Sequence, residues 1–339
     1  MARKALIAAL DWGMGHATRC VPLINHYITI GYEVVLASNG TAADFFATYY
    51  PQIELRRDLP SYSIQYPASG SMVWAMMRQA PRIMRVIRDE NRWLQNNIQE
   101  EKWDTVISDN RYGLHHSDAE SILVTHQLHI RAPFIARPFL DRQVSIFAAK
   151  FDKVWVPDFE GAFNLSGELS HGSTKIAHVE FISPLSRFKD IAEIEKPSEQ
   201  TDILVMLSGP EPQRSILNDK LVELLNRGNR SAIILGGQPG KKEATTIGNV
   251  TLIPHIGDDA LAGLIQTSNA IICRSGYSTL MDLHALGRKS LLIPTPGQTD
   301  QEYLAEYHST NHGFVALAQN RLEVATLAER LQTLQLNQG

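Results

Sequence analysis

Lys4-Ala5-Leu6-Ile7-Ala8-Ala9-Leu10 runs directly into Asp11-Trp12-Gly13-Met14-Gly15-His16-Ala17-Thr18-Arg19, and this passage decides how the chain is read. An apolar stretch of that length reads as a parallel strand covered on both faces. Gly13 and Gly15 let the backbone turn sharply, and a helix expected over His16–Ile30 then offers unpaired N–H groups at its start. Strand, glycine turn and helix in that order open a Rossmann-like unit. A dinucleotide fingerprint would place a third glycine where Thr18 stands and an acid at the end of the second strand, so a nicotinamide dinucleotide site is disfavoured.

The alternation continues outward. In the first half, strands are expected at Glu33–Ala37, Thr105–Ser108, Phe134–Ala136, Lys153–Val156 and Lys175–Phe181. Helices are expected at Thr41–Tyr50 and Ala80–Glu100, and the charge-free Ser61–Met77 reads as a loop. In the second half, strands at Ile203–Leu207, Ser231–Leu235, Thr251–Ile253, Ala270–Cys273 and Ser290–Ile293 alternate with helices. Those helices fall near Pro212–Asn226, Asp258–Gln266, Ser278–Leu286, Gln301–Ser309 and Arg321–Leu334. Pro184–Gln200 carries mixed charge and no strand pattern and reads as a linker. The expected fold class is α/β, with two doubly wound Rossmann-like domains, 1–183 and 201–339, facing a cleft across the linker 184–200.

A chain of 339 residues is about twice the usual domain length, consistent with that division. A hydrophobic content of 44% with 20% charged residues excludes a disordered chain or a coiled coil, and a net charge of −4 argues against a general nucleic-acid binder. Cys20 and Cys273 are too few and too far apart for a disulfide framework, which fits a reduced cytoplasmic compartment. No apolar run is long enough to span a membrane.

In such folds, function lies in the loops that follow strands. His16 stands at a helix start, where the positive end of the dipole favours a neutral imidazole, and Asp109 ends a strand in Ser108-Asp109-Asn110-Arg111; both are candidate bases. Ser208-Gly209 and Arg274-Ser275-Gly276-Tyr277-Ser278-Thr279 bring hydroxyls, a guanidinium and helix N–H groups to strand ends, where a diphosphate would sit. Asp282, one turn beyond Thr279, suits ribose hydroxyls or a helix cap equally. Pro294 to Glu302 forms a proline-fixed loop rich in polar side chains. Gly236-Gly237-Gln238-Pro239-Gly240-Lys241-Lys242 has neither the spacing nor the following hydroxyl of a phosphate-binding P-loop. With no Asp-x-Asp in the chain and no third ligand beside His126 and His129, no metal site is expected.

Gly13-Met14-Gly15-His16, together with the ordered series from Arg274-Ser275-Gly276 to Gln301 and Glu302, resembles the GT-B glycosyltransferases. The MurG-like N-acetylglucosaminyltransferases of cell-wall synthesis look nearest, over about a hundred residues of the second half and the opening loop of the first. The resemblance implies a UDP-sugar donor, a hydroxyl acceptor on a glycan or lipid-linked molecule, and no cofactor. It assigns Arg274, Ser275, Gly276 and Thr279, with Ser208, Gly209, Gly13 and Gly15, to the donor's diphosphate side. Asp282 stands where the family has a ribose-binding glutamate, His255 and Ile256 would read the base, and Gln301 and Glu302 would bind the sugar. The last helix can pack back on the N-terminal domain. The opening loop with Arg19-Cys20 is also similar to the UDP-sugar hydrolase of pseudaminic acid synthesis, so hydrolysis, or donor binding without turnover, stays open.

Gln127, after the apolar run Ile122–Val124, is a candidate acceptor residue. Arg78, Arg82, Arg85, Arg88 and Arg92 line one side of a helical wheel, with Pro81 expected to set the helix start. Such a stripe suits an acceptor phosphate or an anionic membrane on the inner face, or is simply a solvated helix face.

Overall fold

The computed structural model describes residues 2–63, 72–132, 136–189, 201–209, 211–238 and 243–337, with the backbone alone over 72–77. The chain divides into two compact units that change over between Leu185 and Ser186.

The N-terminal unit runs β1 (Lys4–Ala9), α1 (Met14–Thr29), β2 (Glu33–Ala37), α2 (Gly40–Tyr49), β3 (Glu54–Arg56), α3 (Met72–Glu101), β4 (Thr105–Asp109), β5 (Glu120–Val124), α4 (Arg137–Ala148), β6 (Lys153–Val156) and β7 (Val179–Phe181). Its described strands form one parallel sheet in the order β3-β2-β1-β4-β5-β6-β7. Helices cover both faces, so Ala5 to Ala9 of β1 are wholly buried and the strand reads as continuously apolar. The strand order reverses between β1 and β4, the position at which open α/β sheets leave a crevice beyond their carboxyl ends.

The C-terminal unit runs β8 (Ile203–Met206), α5 (Gln213–Arg227), β9 (Ala232–Leu235), β10 (Thr245–Ile247), β11 (Val250–Ile253), α6 (Asp258–Thr267), β12 (Ala270–Cys273), α7 (Tyr277–Ala285), β13 (Leu291–Leu292), α8 (Thr299–Asn311), β14 (Val315–Ala316) and α9 (Val324–Leu336). Its order is β10-β11-β9-β8-β12-β13-β14, parallel except for the β10/β11 hairpin, and it reverses between β8 and β12. Leu327, Leu331 and Leu334 of α9 join the core formed by Leu217, Ile272 and Leu291. The last helix therefore packs on its own unit, because its apolar stripe completes that core.

Several expected elements differ. Helix α3 starts at Met72, so the end of Ser61–Met77 is helical and Pro81 lies inside the helix instead of opening it. Proline removes one ladder hydrogen bond, but Pro81 is exposed while Val86, Ile87, Glu90, Leu94 and Ile98 bury the opposite face and hold the helix together. Arg78, Arg82, Arg85, Arg88 and Arg92 are all exposed on this helix. Of the expected strand Phe134–Ala136, residues 134 and 135 lie outside those described and Ala136 caps α4. The strand in this part of the sheet is β5, whose polar start at Glu120 and Ser121 hides it from a count of apolar residues. Lys175–Phe181 contributes only Val179–Phe181.

A buried ion pair ties α3 to the sheet. Arg111 donates through Nε to Ala9 O at 2.8 Å and through Nη1 to Pro60 O and to Glu90 Oε1, the last at 2.7 Å. Glu90 Oε2 accepts from the Tyr62 hydroxyl and the Gly113 N–H, and neither Arg111 nor Glu90 has measurable exposure. Burial pushes the Glu90 carboxyl up to about 7 against the pull of Arg111.

Removing Glu90 strands a buried guanidinium, so Glu90→Ala is expected to cost about 3–5 kcal/mol in chemical denaturation. The folded chain holds the Glu90 proton more tightly than the unfolded chain does. This group's contribution to stability thus declines as pH rises from 4.5 to about 7, a slope that Glu90→Gln should lack.

Candidate active site

Parallel register sets Ala9 of β1 opposite Asp109 of β4, which brings the loop after β1 beside the end of β4. Gly13 caps α1 with φ +97° and nothing within 4 Å of where a Cβ would stand; an L side chain is disfavoured there by the backbone alone. His16 falls in the first turn of α1 and its Nδ1 lies 2.5 Å from Asp109 Oδ1. Burial works against the charge on Asp109, yet Arg19 and then His16 hold its carboxyl below the usual range. The carboxylate can only accept, so His16 Nδ1–H donates to it and the Nε2 lone pair is left for a proton.

His16 and Asp109, expected as separate candidate bases, are one hydrogen-bonded pair. Asp109 is fully buried while the His16 side chain keeps 16% exposure. Of the two, only the imidazole reaches the surface, and the bond to Asp109 fixes its orientation. The His16 pKa is lowered, first by burial and then by the charge of Arg19. Arg19 and His126 complete the cluster: Arg19 Nε and Nη2 grip Asp109, and Nη1 is 3.1 Å from His126 Nδ1. The sequence names both residues, Arg19 in the opening loop and His126 after a strand, but not their meeting, which depends on the β1–β4–β5 adjacency. Gln127 follows His126 half-buried, and Arg82 and Arg85 stand exposed on α3.

In the C-terminal unit, strand reversal brings the ends of β8 and β12 together. Gly209, at φ +95°, forms the turn after β8, and Ser208 and Gly209 are half-buried. Gly276 caps α7 with open space around its Cα, and Thr279 is half-buried in the first turn. Beyond the ends of β8, β9 and β11 lies a cavity of about 180 Å³ lined by Leu207, Ser215, Ile234, Gly236 and Pro254. His255 and Ile256 follow directly, half-buried, with the His255 imidazole pushed down by burial and by Arg187.

Arg274, expected to face a diphosphate, turns its guanidinium inward. It is 1% exposed and donates to Ile293 O, Pro294 O and Gln213 O at 2.9–3.1 Å. Burial alone lowers its pKa to about 10. The loops leaving β13 and entering α5 bury carbonyls that need donors, and Arg274 supplies them. Ser275 is likewise turned inward, its hydroxyl donating to Gln301 O at 2.7 Å. Asp282 accepts from Ser186 Oγ at 2.7 Å and lies 3.4 Å from Arg187 Nε, with burial raising its carboxyl to about 6. The start of the expected linker is therefore packed on this unit.

Gln301 Oε1 accepts the Thr295 N–H and Glu302 Oε1 the Gly297 N–H, both at 2.9 Å, so each shapes the β13–α8 loop. Glu302 is exposed and Gln301 nearly buried. In the same loop Thr295 Oγ1 and Gln298 Oε1 are buried without a hydrogen-bond partner. Among the described residues, no three His, Cys, Asp or Glu side chains are grouped to hold a metal ion, and no helix is long and apolar enough to cross a membrane.

Residues 232–339 match the glycosyltransferase family 28 C-terminal domain. An uncharacterized glycosyltransferase of Methanosarcina acetivorans is 22% identical over 322 residues, 88% of this chain and 81% of that protein. The UDP-N-acetylglucosamine–N-acetylmuramyl-(pentapeptide) pyrophosphoryl-undecaprenol N-acetylglucosamine transferase of Rhodopseudomonas palustris is 34% identical over 88 residues, 25% of this chain and 23% of the relative. Among solved structures, the glycotransferase of kitacinnamycin superposes with a TM-score of 0.65 at 14% identity, covering 100% of this chain and 95% of its own.

Arg274→Ala removes the donor from three backbone carbonyls. It is expected to lower stability by about 1–3 kcal/mol for each carbonyl left buried and unpaired, read as a fall in melting temperature without any ligand. Arg274→Lys should not restore it, since one ammonium cannot reproduce the guanidinium fork.

Proposed function

A MurG-like glycosyltransferase of the GT-B fold, this protein, we propose, moves a sugar from a nucleoside diphosphate sugar to an acceptor hydroxyl, with His16 as the general base. The observation that carries the reading is the 2.5 Å bond from His16 Nδ1 to a wholly buried Asp109, which fixes the imidazole in the proton-accepting tautomer at a strand-order reversal. The hydroxyl loses its proton to Nε2 as its oxygen bonds to the anomeric carbon, and the bond to the diphosphate breaks. A single displacement of this kind inverts the anomeric centre.

The leaving diphosphate needs positive potential. The first-turn N–H groups of α7, the Thr279 hydroxyl and the Ser208-Gly209 turn supply it, while Arg274 and Ser275 hold these loops in place. Because the chain has no Asp-x-Asp, donor binding is proposed to need no divalent metal. The resemblance of Pro254-His255-Ile256 favours uracil as the base, and the cavity beside it offers room for a nucleoside part. Asp282 reaches a ribose only by exchanging Ser186 for it. Thr295 and Gln298, with unused polar atoms, join Gln301 and Glu302 as the sugar-facing loop. The exposed arginines of α3 suit an anionic group on a glycan or lipid-linked acceptor, or an anionic membrane surface that carries it.

UDP-sugars are expected to raise the melting temperature in the presence of EDTA; a shift from no nucleoside diphosphate sugar would overturn the donor assignment. His16→Ala should lower turnover by about 10²–10⁴-fold while leaving that thermal shift intact. Product formed at full rate without an acceptor would instead mark a hydrolase.

A further inference from the structure

Arg19 lies three residues beyond His16 on α1, on the same helix face, and is 2% exposed. Its Nη2 donates to Asp109 Oδ1 at 2.7 Å, its Nε to Oδ2, and its Nη1 to His126 Nδ1 at 3.1 Å. Nη2 also lies 3.0 Å from His16 Nδ1. That nitrogen already donates to Asp109, so this approach is a contact of charge and not a hydrogen bond.

We propose that Arg19 is a positioning residue of the transfer reaction: by sharing the Asp109 carboxylate with His16, it keeps the resting imidazole neutral and ready to accept a proton. The proposal rests on the reading of His16 as base.

A buried carboxylate beside an imidazole ordinarily draws a proton onto the ring, and an imidazolium accepts nothing further. Arg19 removes that incentive. Its guanidinium already supplies the positive charge that Asp109 needs, and its own field opposes a second one 3.0 Å away. Among the described residues, the titratable groups around His16, Arg19 and Asp109 fit this balance. From α1 come Arg19 and the Cys20 thiol, the latter kept uncharged by burial. Asp109 comes from β4, and Asp11 from the preceding loop adds a smaller upward pull. Beyond β5, the His126 imidazole is held neutral by burial and by Arg19; Tyr112, pushed up to about 12, is neutral as well. Arg19 as the cation, Asp109 as the anion it shares with His16, and two neutral imidazoles make a cluster in which the His16 ring rests with room for a proton.

The test is an NMR titration of histidine-labelled protein, with the His16 signal assigned by its loss in His16→Asn. It needs no substrate. In Arg19→Met the His16 midpoint is expected to move up from the wild-type value, and in Arg19→Lys, which keeps the charge, to stay below that of an unperturbed imidazole. An unchanged or lowered midpoint in folded Arg19→Met overturns the proposal. Should Arg19→Met not fold, a midpoint in Arg19→Lys at or above that of an unperturbed imidazole overturns it equally. An arginine serving stability alone would lower the melting temperature without moving this titration. The reading of His16 as base fails separately, if His16→Ala transfers sugar at the wild-type rate whatever Arg19 does to the midpoint.

Discussion

The register of β1 on β4, with Ala9 opposite Asp109, is the constraint from which the His16–Asp109–Arg19 cluster follows. Both strands are parallel and buried over Ala5–Ala9 and Thr105–Asp109, and the register makes them stop at the same level and hand their chains to adjacent loops. One loop turns through Gly13 into α1 and delivers His16 and Arg19; the other strand ends in the acid they share. A slip of one residue would send Asp109 to the opposite face of the sheet and break all of these contacts. The glycine turn, the helix start and the buried acid are parts of one arrangement.

The two units solve a common problem with the same residue type. Loops that leave parallel strands carry carbonyls out of the hydrogen-bond ladder while still buried, and these need donors. Arg111 serves Ala9 and Pro60 in the N-terminal unit; Arg274 serves Ile293, Pro294 and Gln213 in the C-terminal unit. An arginine at a strand end beside a glycine looks built for a phosphate. Here it is scaffold: its guanidinium is spent on backbone carbonyls, and in the proposed reaction the diphosphate is left to helix N–H groups.

Much of the fold was legible because period and burial agree. The strands around Ala270–Cys273 and Lys4–Ala9 are apolar throughout, and the helix starts at Gly13 and Gly276 are marked by glycine. What escaped reading had mixed signals. Helix α3 continues through Pro81 because its packing outweighs one lost hydrogen bond, β5 begins with Glu120-Ser121, and short edge strands such as β14 have too few residues for any period. At the site, His16 and Asp109 were legible as individuals, from helix start and strand end. Their bond to each other, and the places of Arg19 and His126, were not.

The chain's own order of residues thus determined the doubly wound architecture, the strand-end loops and the residue types in them, since apolar period and glycine turns are local properties. Tertiary structure alone decided which of those side chains meet. Asp109 became the orienting partner of His16, and Arg274 a buried tie rather than an open hand, because burial and partner charge are set by residues far away in the chain. A guanidinium reads the same in either role until the carbonyls around it are known.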